Sequence, residues 1–187
     1  MLDCLIKLPK LPLTLHPNYK KEQNSVGYFC KEYPFDYIFS KETAQLFQSL
    51  HLLQYIRGVQ LFRCLGKEDR NIHIDGTYPE IAEGVINWVP DDPEDSNWST
   101  DFFNVPLEKG IRSEQRVNLG SKITFDPADC QLAVSWTGPT REPVLMRVNV
   151  PHRIQNRQDQ ERWCYSLRFF PRQLSYFDLK DILTRFQ

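Results

Sequence analysis

From Gln54 onward, apolar and polar positions alternate in short runs broken by Gly, Pro, Asp and Asn. A period of two with β-branched and aromatic enrichment predicts strands. The runs fall at Ile56–Cys64, Asn71–Asp75, Gly84–Val89, Phe102–Val105, Arg116–Leu119, Leu132–Trp136, Val144–Asn149, His152–Gln155 and Trp163–Phe170. Helical spacing occurs on either side of this region. Ser40 is an expected N-cap for a helix reaching Leu53, with Ala44, Phe47 and Leu50 or His51 on one stripe. Ser175 to Phe186 predicts a second helix, with Leu179, Ile182, Leu183 and Phe186 on its apolar face and Ser175 with Asp178 as a capping box. Residues 1–37 carry proline, lysine and aromatic residues without a period, and read as an irregular arm lying across the body. Eight or nine short strands framed by helices predict a mainly β fold, a double-sheet jelly roll with flanking helices. The expected layout is one domain over residues 1–187: arm and helix at 1–53, jelly-roll core at 54–170, C-terminal helix at 171–187.

Composition narrows the class. A chain of 187 residues with 41% hydrophobic and 25% charged residues can bury a real core. The formal charge of −1 gives no bulk attraction for nucleic acid. Five cysteines without a CxxC spacing suggest reduced thiols and a cytoplasmic setting. Lys7, Pro9, Lys10 and Pro12 interrupt the apolar stretch from Met1 to Leu15, which argues against a secretory signal, and no run approaches the ~20 apolar residues of a membrane span. The acidic run Asp91–Asp95 reads as a solvated connection.

The candidate chemistry lies in two strands and the start of a third. Positions i and i+2 of a strand share a face, so His73 and Asp75 project together while Ile72 and Ile74 point away. On the next strand of interest, Val150, His152 and Ile154 share a face. Two histidines and one carboxylate on one side of an ion, with the other positions open, are the ligand set of non-heme Fe(II) oxygenases. His73, Asp75 and His152 are therefore the candidate metal ligands and catalytic residues. His16 and His51 lack such company and read as structural or exposed.

The segment beginning at Arg162 also alternates. Trp163, Tyr165, Leu167 and Phe169 make a bulky apolar face, and Arg162, Cys164, Ser166 and Arg168 make the opposite one. A guanidinium aimed into a barrel needs a partner, and its planar fork matches a carboxylate. Arg162 is the first candidate for an anionic cosubstrate. Arg168 competes with it from roughly 20 Å further along the same face.

His73-x-Asp75, followed by Val-Pro-His152-Arg-Ile-Gln-Asn156 and Arg162, resembles the Fe(II)/2-oxoglutarate-dependent dioxygenases. The distal block, with Asn four and Arg ten residues after the histidine, looks most like the aspartyl/asparaginyl β-hydroxylase-like branch, and Ile86-Asn87-Trp88 resembles the strand that follows H-x-D there. The resemblance spans roughly Val59 to Phe170. It implies a double-stranded β-helix (cupin-like), Fe(II) held by His73, Asp75 and His152, and 2-oxoglutarate held by Arg162 with Asn87 as a further cosubstrate contact. The implied reaction is hydroxylation of a small molecule or peptide side chain by O2, with succinate and CO2 formed. Asp75 departs from members of that branch that lack the carboxylate ligand, and its presence favours hydroxylation or demethylation over halogenation. Two alternatives stand beside this reading: a metal-binding cupin that does not use 2-oxoglutarate, and a non-catalytic jelly-roll binding protein. No membrane or nucleic-acid partner is expected.

Overall fold

The computed structural model describes residues 3–19, 29–74, 82–112 and 123–186. The strands in this range are β1 (Leu5–Lys7), β2 (Phe29–Tyr33), β3 (Ile56–Cys64), β4 (Glu68–Asp69), β5 (His73–Ile74), β6 (Gly84–Trp88), β7 (Trp98–Asn104), β8 (Ile111–Arg112), β9 (Ile123–Thr124), β10 (Gln131–Thr137), β11 (Val144–Arg147), β12 (His152–Asn156) and β13 (Arg162–Phe169). The helices are α1 (Phe35–Ile38), α2 (Lys41–Ser49) and α3 (Tyr176–Phe186).

The strands form two antiparallel sheets. One runs β1-β11-β6-β13-β3-β2, and the other β10-β7-β12-β5-β9-β8, with β4 joined to β12. The ordering identifies the architecture. If β3, β5, β6, β7, β10, β11, β12 and β13 are counted as strands one to eight, the large sheet reads six-three-eight-one and the small sheet five-four-seven-two. That is the winding of a double-stranded β-helix, the jelly roll expected from the strand pattern.

Three apolar layers hold it. The outer face of the large sheet carries Val59, Leu61, Ile86, Leu145, Tyr165 and Leu167, covered by Ile38, Phe39 and Phe47 of the α1–α2 region and by Tyr176, Leu179 and Leu183 of α3. Between the sheets lie Val85, Trp98, Phe102, Trp136, Val144, Met146 and Val150. Ile72, Ile74, Phe103 and Phe125 form a small cluster on the outer face of the small sheet. Ile72 and Ile74 thus point away from the barrel interior, as alternation requires.

Several expectations shift. Residues 1–37 are not irregular throughout: β1 pairs with β11 and β2 pairs with β3, each at a sheet edge. Edge strands of three and five residues are too short to show a period. The first helix starts at its Ser40 cap but ends at Ser49, because His51 adopts φ 56° and a 3-10 turn follows at Leu53–Tyr55. The strand expected at Phe102–Val105 begins earlier, at Trp98, while β4, β8 and β9 had no signal of their own. The expected strand Arg116–Leu119 lies outside the described residues.

Candidate active site

The site is assembled where the two sheets face each other. β12 lies between β5 and β7, and its first residue, His152, is Cα-paired with His73 on one side and Phe102 on the other. This register brings the two imidazoles together, their ring centres 4.7 Å apart and tilted by 45°. Both side chains are buried. His73 Nδ1 lies 2.6 Å from the Asn71 carbonyl oxygen and His152 Nδ1 lies 2.9 Å from that of Val150. A carbonyl oxygen only accepts, so each ring carries a proton at Nδ1, and in the neutral imidazole the lone pair then lies at Nε2. This is the arrangement by which backbone carbonyls orient metal-ligating histidines. Two imidazoles on adjacent positions of one octahedral ion, at ion–nitrogen distances of about 2.1 Å, would have ring centres about 4.5 Å apart. The donor set and its spacing therefore fit a divalent cation. The expected third ligand, Asp75, lies outside the described residues, among which no cluster of three ligating side chains occurs.

Both histidines line a cavity with an empty volume of about 640 Å3, its open mouth included. The opposite wall is the inward face of β13 and its neighbours. Arg162, Cys164 and Arg168 reach the cavity from β13, Asn87 from β6, and Phe62 and Cys64 from β3. The alternation read from the sequence is thus observed: Trp163, Tyr165, Leu167 and Phe169 belong to the helix-covered layer. Arg162 is 4% exposed. Its guanidinium carbon sits 3.6 Å from the centre of the Trp98 ring and 5.2 Å from that of Trp136. Its Nε has no hydrogen-bond partner among the described residues. A buried guanidinium N–H without an acceptor is costly, and a ligand oxygen in the cavity would satisfy it. Arg168 lines the same cavity, with its guanidinium 5.4 Å from the Phe62 ring.

Asn87 is half-buried; its Nδ2 donates to Met146 Sδ at 3.0 Å, and its Oδ1 has no partner among the described residues. Ser166, directly across from Asn87 in the β6–β13 ladder, is buried with its Oγ also unpartnered. Burial pushes the thiols of Cys64 and Cys164 up, against the opposing pull of the nearby Arg162 charge, and so keeps both protonated and inert. The remaining walls are largely apolar, from Met146, Val148 and Ile154, with Thr100 and Arg70 as polar exceptions. Arg70 is paired with Glu68 at 2.5 Å.

The four described candidates (His73, His152, Arg162 and Asn87) share this one cavity, with Asp75 outside the description. Arg70, Thr100 and Met146 had no distinguishing signal in the sequence. Trp98 and Phe102 belong to the layer between the sheets, and Phe103 faces outward. The acidic run needs a further correction: Asp92 is buried at 2% exposure and accepts hydrogen bonds from Trp98 Nε1 at 2.8 Å and the Thr140 N–H at 2.6 Å. A run of five residues with four acids looks solvated, but one of them is a structural acceptor.

No family model and no curated protein matches the sequence. Among solved structures, the chain is similar to a 2OG-Fe(II) oxygenase family oxidoreductase from Burkholderia pseudomallei, at 10% identity and TM-score 0.39, over 70% of this chain and 51% of that one. It spans about half the length of that protein. A second similar structure is the non-heme alpha ketoglutarate dependent carbocyclase SnoK from nogalamycin biosynthesis, at 13% identity and TM-score 0.41, over 89% of this chain and 74% of that one. At these values neither likeness carries a functional argument. Neither points to the aspartyl/asparaginyl β-hydroxylase-like branch. No helix among the described residues is long and apolar enough to cross a membrane.

Proposed function

We propose that the cavity binds Fe(II) and 2-oxoglutarate and that the protein is an oxygenase, hydroxylating a small molecule or a peptide side chain with formation of succinate and CO2. One observation carries this reading: two histidines whose Nδ1 atoms face backbone carbonyls, which leaves Nε2 as the ring's coordinating position, share a cavity with a buried arginine whose Nε lacks an acceptor among the described residues. His73 and His152 would hold the ion, with Asp75, two residues beyond His73 in the sequence, as the expected third ligand. When bound, Fe(II) with 2-oxoglutarate supplies O2 activation coupled to decarboxylation of the keto acid. The chain's own contribution is geometric. Arg162 holds the distal carboxylate through in-plane N–H groups, Asn87 Oδ1 accepts from a ligand donor, and Phe62, Met146, Val148 and Ile154 keep the interior dry.

The test is anaerobic titration with Fe(II) and then 2-oxoglutarate, followed by the visible charge-transfer absorption of a chelated keto acid. A band that bleaches with O2 while succinate forms is expected. Arg162→Ala should retain metal but weaken 2-oxoglutarate by about 100-fold, the loss of a charge-assisted bidentate contact. If Arg168→Ala does this instead, the cosubstrate lies at the other end of the β13 face. Metal uptake without a band would assign a cupin that does not use 2-oxoglutarate, and no metal uptake would leave a binding jelly roll.

A further inference from the structure

A chain of contacts begins in the acidic loop and ends at Arg162 in the cavity wall. Asp92 Oδ1 accepts from the indole N–H of Trp98 at 2.8 Å, its Oδ2 accepts from the Thr140 N–H at 2.6 Å, and its carbonyl oxygen accepts from Arg141 Nε at 3.2 Å. One carboxylate thereby ties the connection between β6 and β7 to the connection between β10 and β11. Trp98 is 1% exposed and packs edge-on against Trp136, with ring centres 4.7 Å apart at 79°. Gly138 closes the remaining edge: its N–H donates to the Trp98 carbonyl at 3.1 Å, and a Cβ there would collide with the indole nitrogen and Ser96 Oγ. The indole therefore has no room to slide. Its face is occupied by the Arg162 guanidinium at 3.6 Å.

Three physical consequences follow from this stack. A guanidinium whose face lies on an indole offers a ligand only its in-plane N–H groups, the fork that a carboxylate matches. A carboxylate accepting from the indole N–H also enriches the ring face in electron density, which strengthens its hold on the cation. Finally, among the described residues no carboxylate forms an ion pair with Arg162, so the indole face is the nearest electron-rich surface against its buried charge.

We propose that Asp92 and Trp98 are positioning residues for Arg162: they fix the plane and depth of its guanidinium and so set the affinity of the cavity for a distal carboxylate. The carboxylate part rests on the function proposed above; the positioning part does not. Two measurements separate them. The first needs no ligand. In a nitrogen-15 correlation spectrum of arginine Nε–Hε groups, the Arg162 signal, assigned by its loss in Arg162→Lys, should be shifted by the Trp98 ring current. Asp92→Asn can keep only one of its two side-chain bonds and should move this signal toward the ordinary arginine position. Trp98→Phe keeps a ring without the indole N–H and should give an intermediate shift, whereas Trp98→Leu removes the shift.

The second measurement is anaerobic calorimetry of the Fe(II)-loaded protein with 2-oxoglutarate and with pyruvate, which lacks the distal carboxylate. Asp92→Asn should weaken 2-oxoglutarate by about tenfold and Trp98→Leu by more, with pyruvate and metal affinities unchanged. An Arg162 signal unmoved in Asp92→Asn and Trp98→Phe overturns the positioning role. A moved signal with undiminished preference for 2-oxoglutarate over pyruvate overturns its link to carboxylate affinity. Wild-type protein that binds neither keto acid would remove the proposed function and the affinity claim with it, leaving the spectrum to decide the positioning role. Trp98→Leu removes a large buried side chain, so the decision rests on Asp92→Asn and Trp98→Phe.

Discussion

Each imidazole of the cavity commits its Nδ1 proton to a carbonyl two residues earlier in the chain, just before its strand begins, His73 to Asn71 and His152 to Val150. The repeated i to i−2 contact makes both tautomers a property of backbone conformation, so neither depends on the other ring. Deleting one ring should therefore leave the second correctly presented but unable to hold a metal alone. His152→Ala and His73→Ala are each expected to weaken Co(II) binding by at least about 100-fold, read from the visible absorption of the bound ion. Asp75→Ala should have a comparable effect if that carboxylate is the third ligand; unchanged binding would remove it from the set. At this scale the sequence was informative wherever strand alternation decides the face: His73 against Ile72 and Ile74, or Arg162 against Trp163. It was silent on what an inward side chain meets across the barrel. The stack of Arg162 on Trp98 joins residues 64 positions apart on opposite sheets, and no local period encodes it.

At the scale of elements, α3 is the one whose start was written most plainly. Ser175 Oγ donates to Asp178 Oδ2 at 2.7 Å and accepts from the Asp178 N–H at 3.1 Å, while the Ser175 N–H donates to the same carboxylate at 2.9 Å. These bonds hold the Asp178 carboxyl below its ordinary range, the Ser175 hydroxyl first and its N–H second. A depressed carboxylate contributes stability that is present above its unfolded pKa and lost as pH falls through the lower folded value. Ser175→Ala should thus cost about 1 kcal/mol near neutral pH, in urea unfolding, and the difference from wild type should shrink below about pH 4. A difference that stays constant across that range would show that the carboxylate takes no part in the cap. β13 was legible for a related reason: one of its faces packs into the helix-covered layer, so bulky apolar residues recur at every second position from Trp163 to Phe169. The edge strands β1, β2 and β8 have no such constraint, and their pairing comes from neighbours distant in sequence.

Across the whole molecule, the layer that carries much of the apolar packing is separate from the layer that carries the candidate chemistry. The helices pack on the outer face of the large sheet, while the cavity opens on its inner face, and β13 serves both with alternate residues. Stability and ligand binding should accordingly be separable by mutation. Leu183, fully buried under α3, contributes packing only to the outer layer. Leu183→Ala should cost about 2–5 kcal/mol by cavity formation. A metal ion that binds only the folded state adds about 2.7 kcal/mol at a concentration 100 times its Kd, which for a chain of this size corresponds to a rise in Tm of roughly 5–10 °C. That rise should survive in Leu183→Ala, measured from its lower starting Tm, because distant sites act additively. It should vanish in His152→Ala, whose starting Tm should fall much less than that of Leu183→Ala. A metal-induced shift that collapses in Leu183→Ala would mean that the two faces of β13 are energetically coupled, and that packing under the helices sets the geometry of the histidine site.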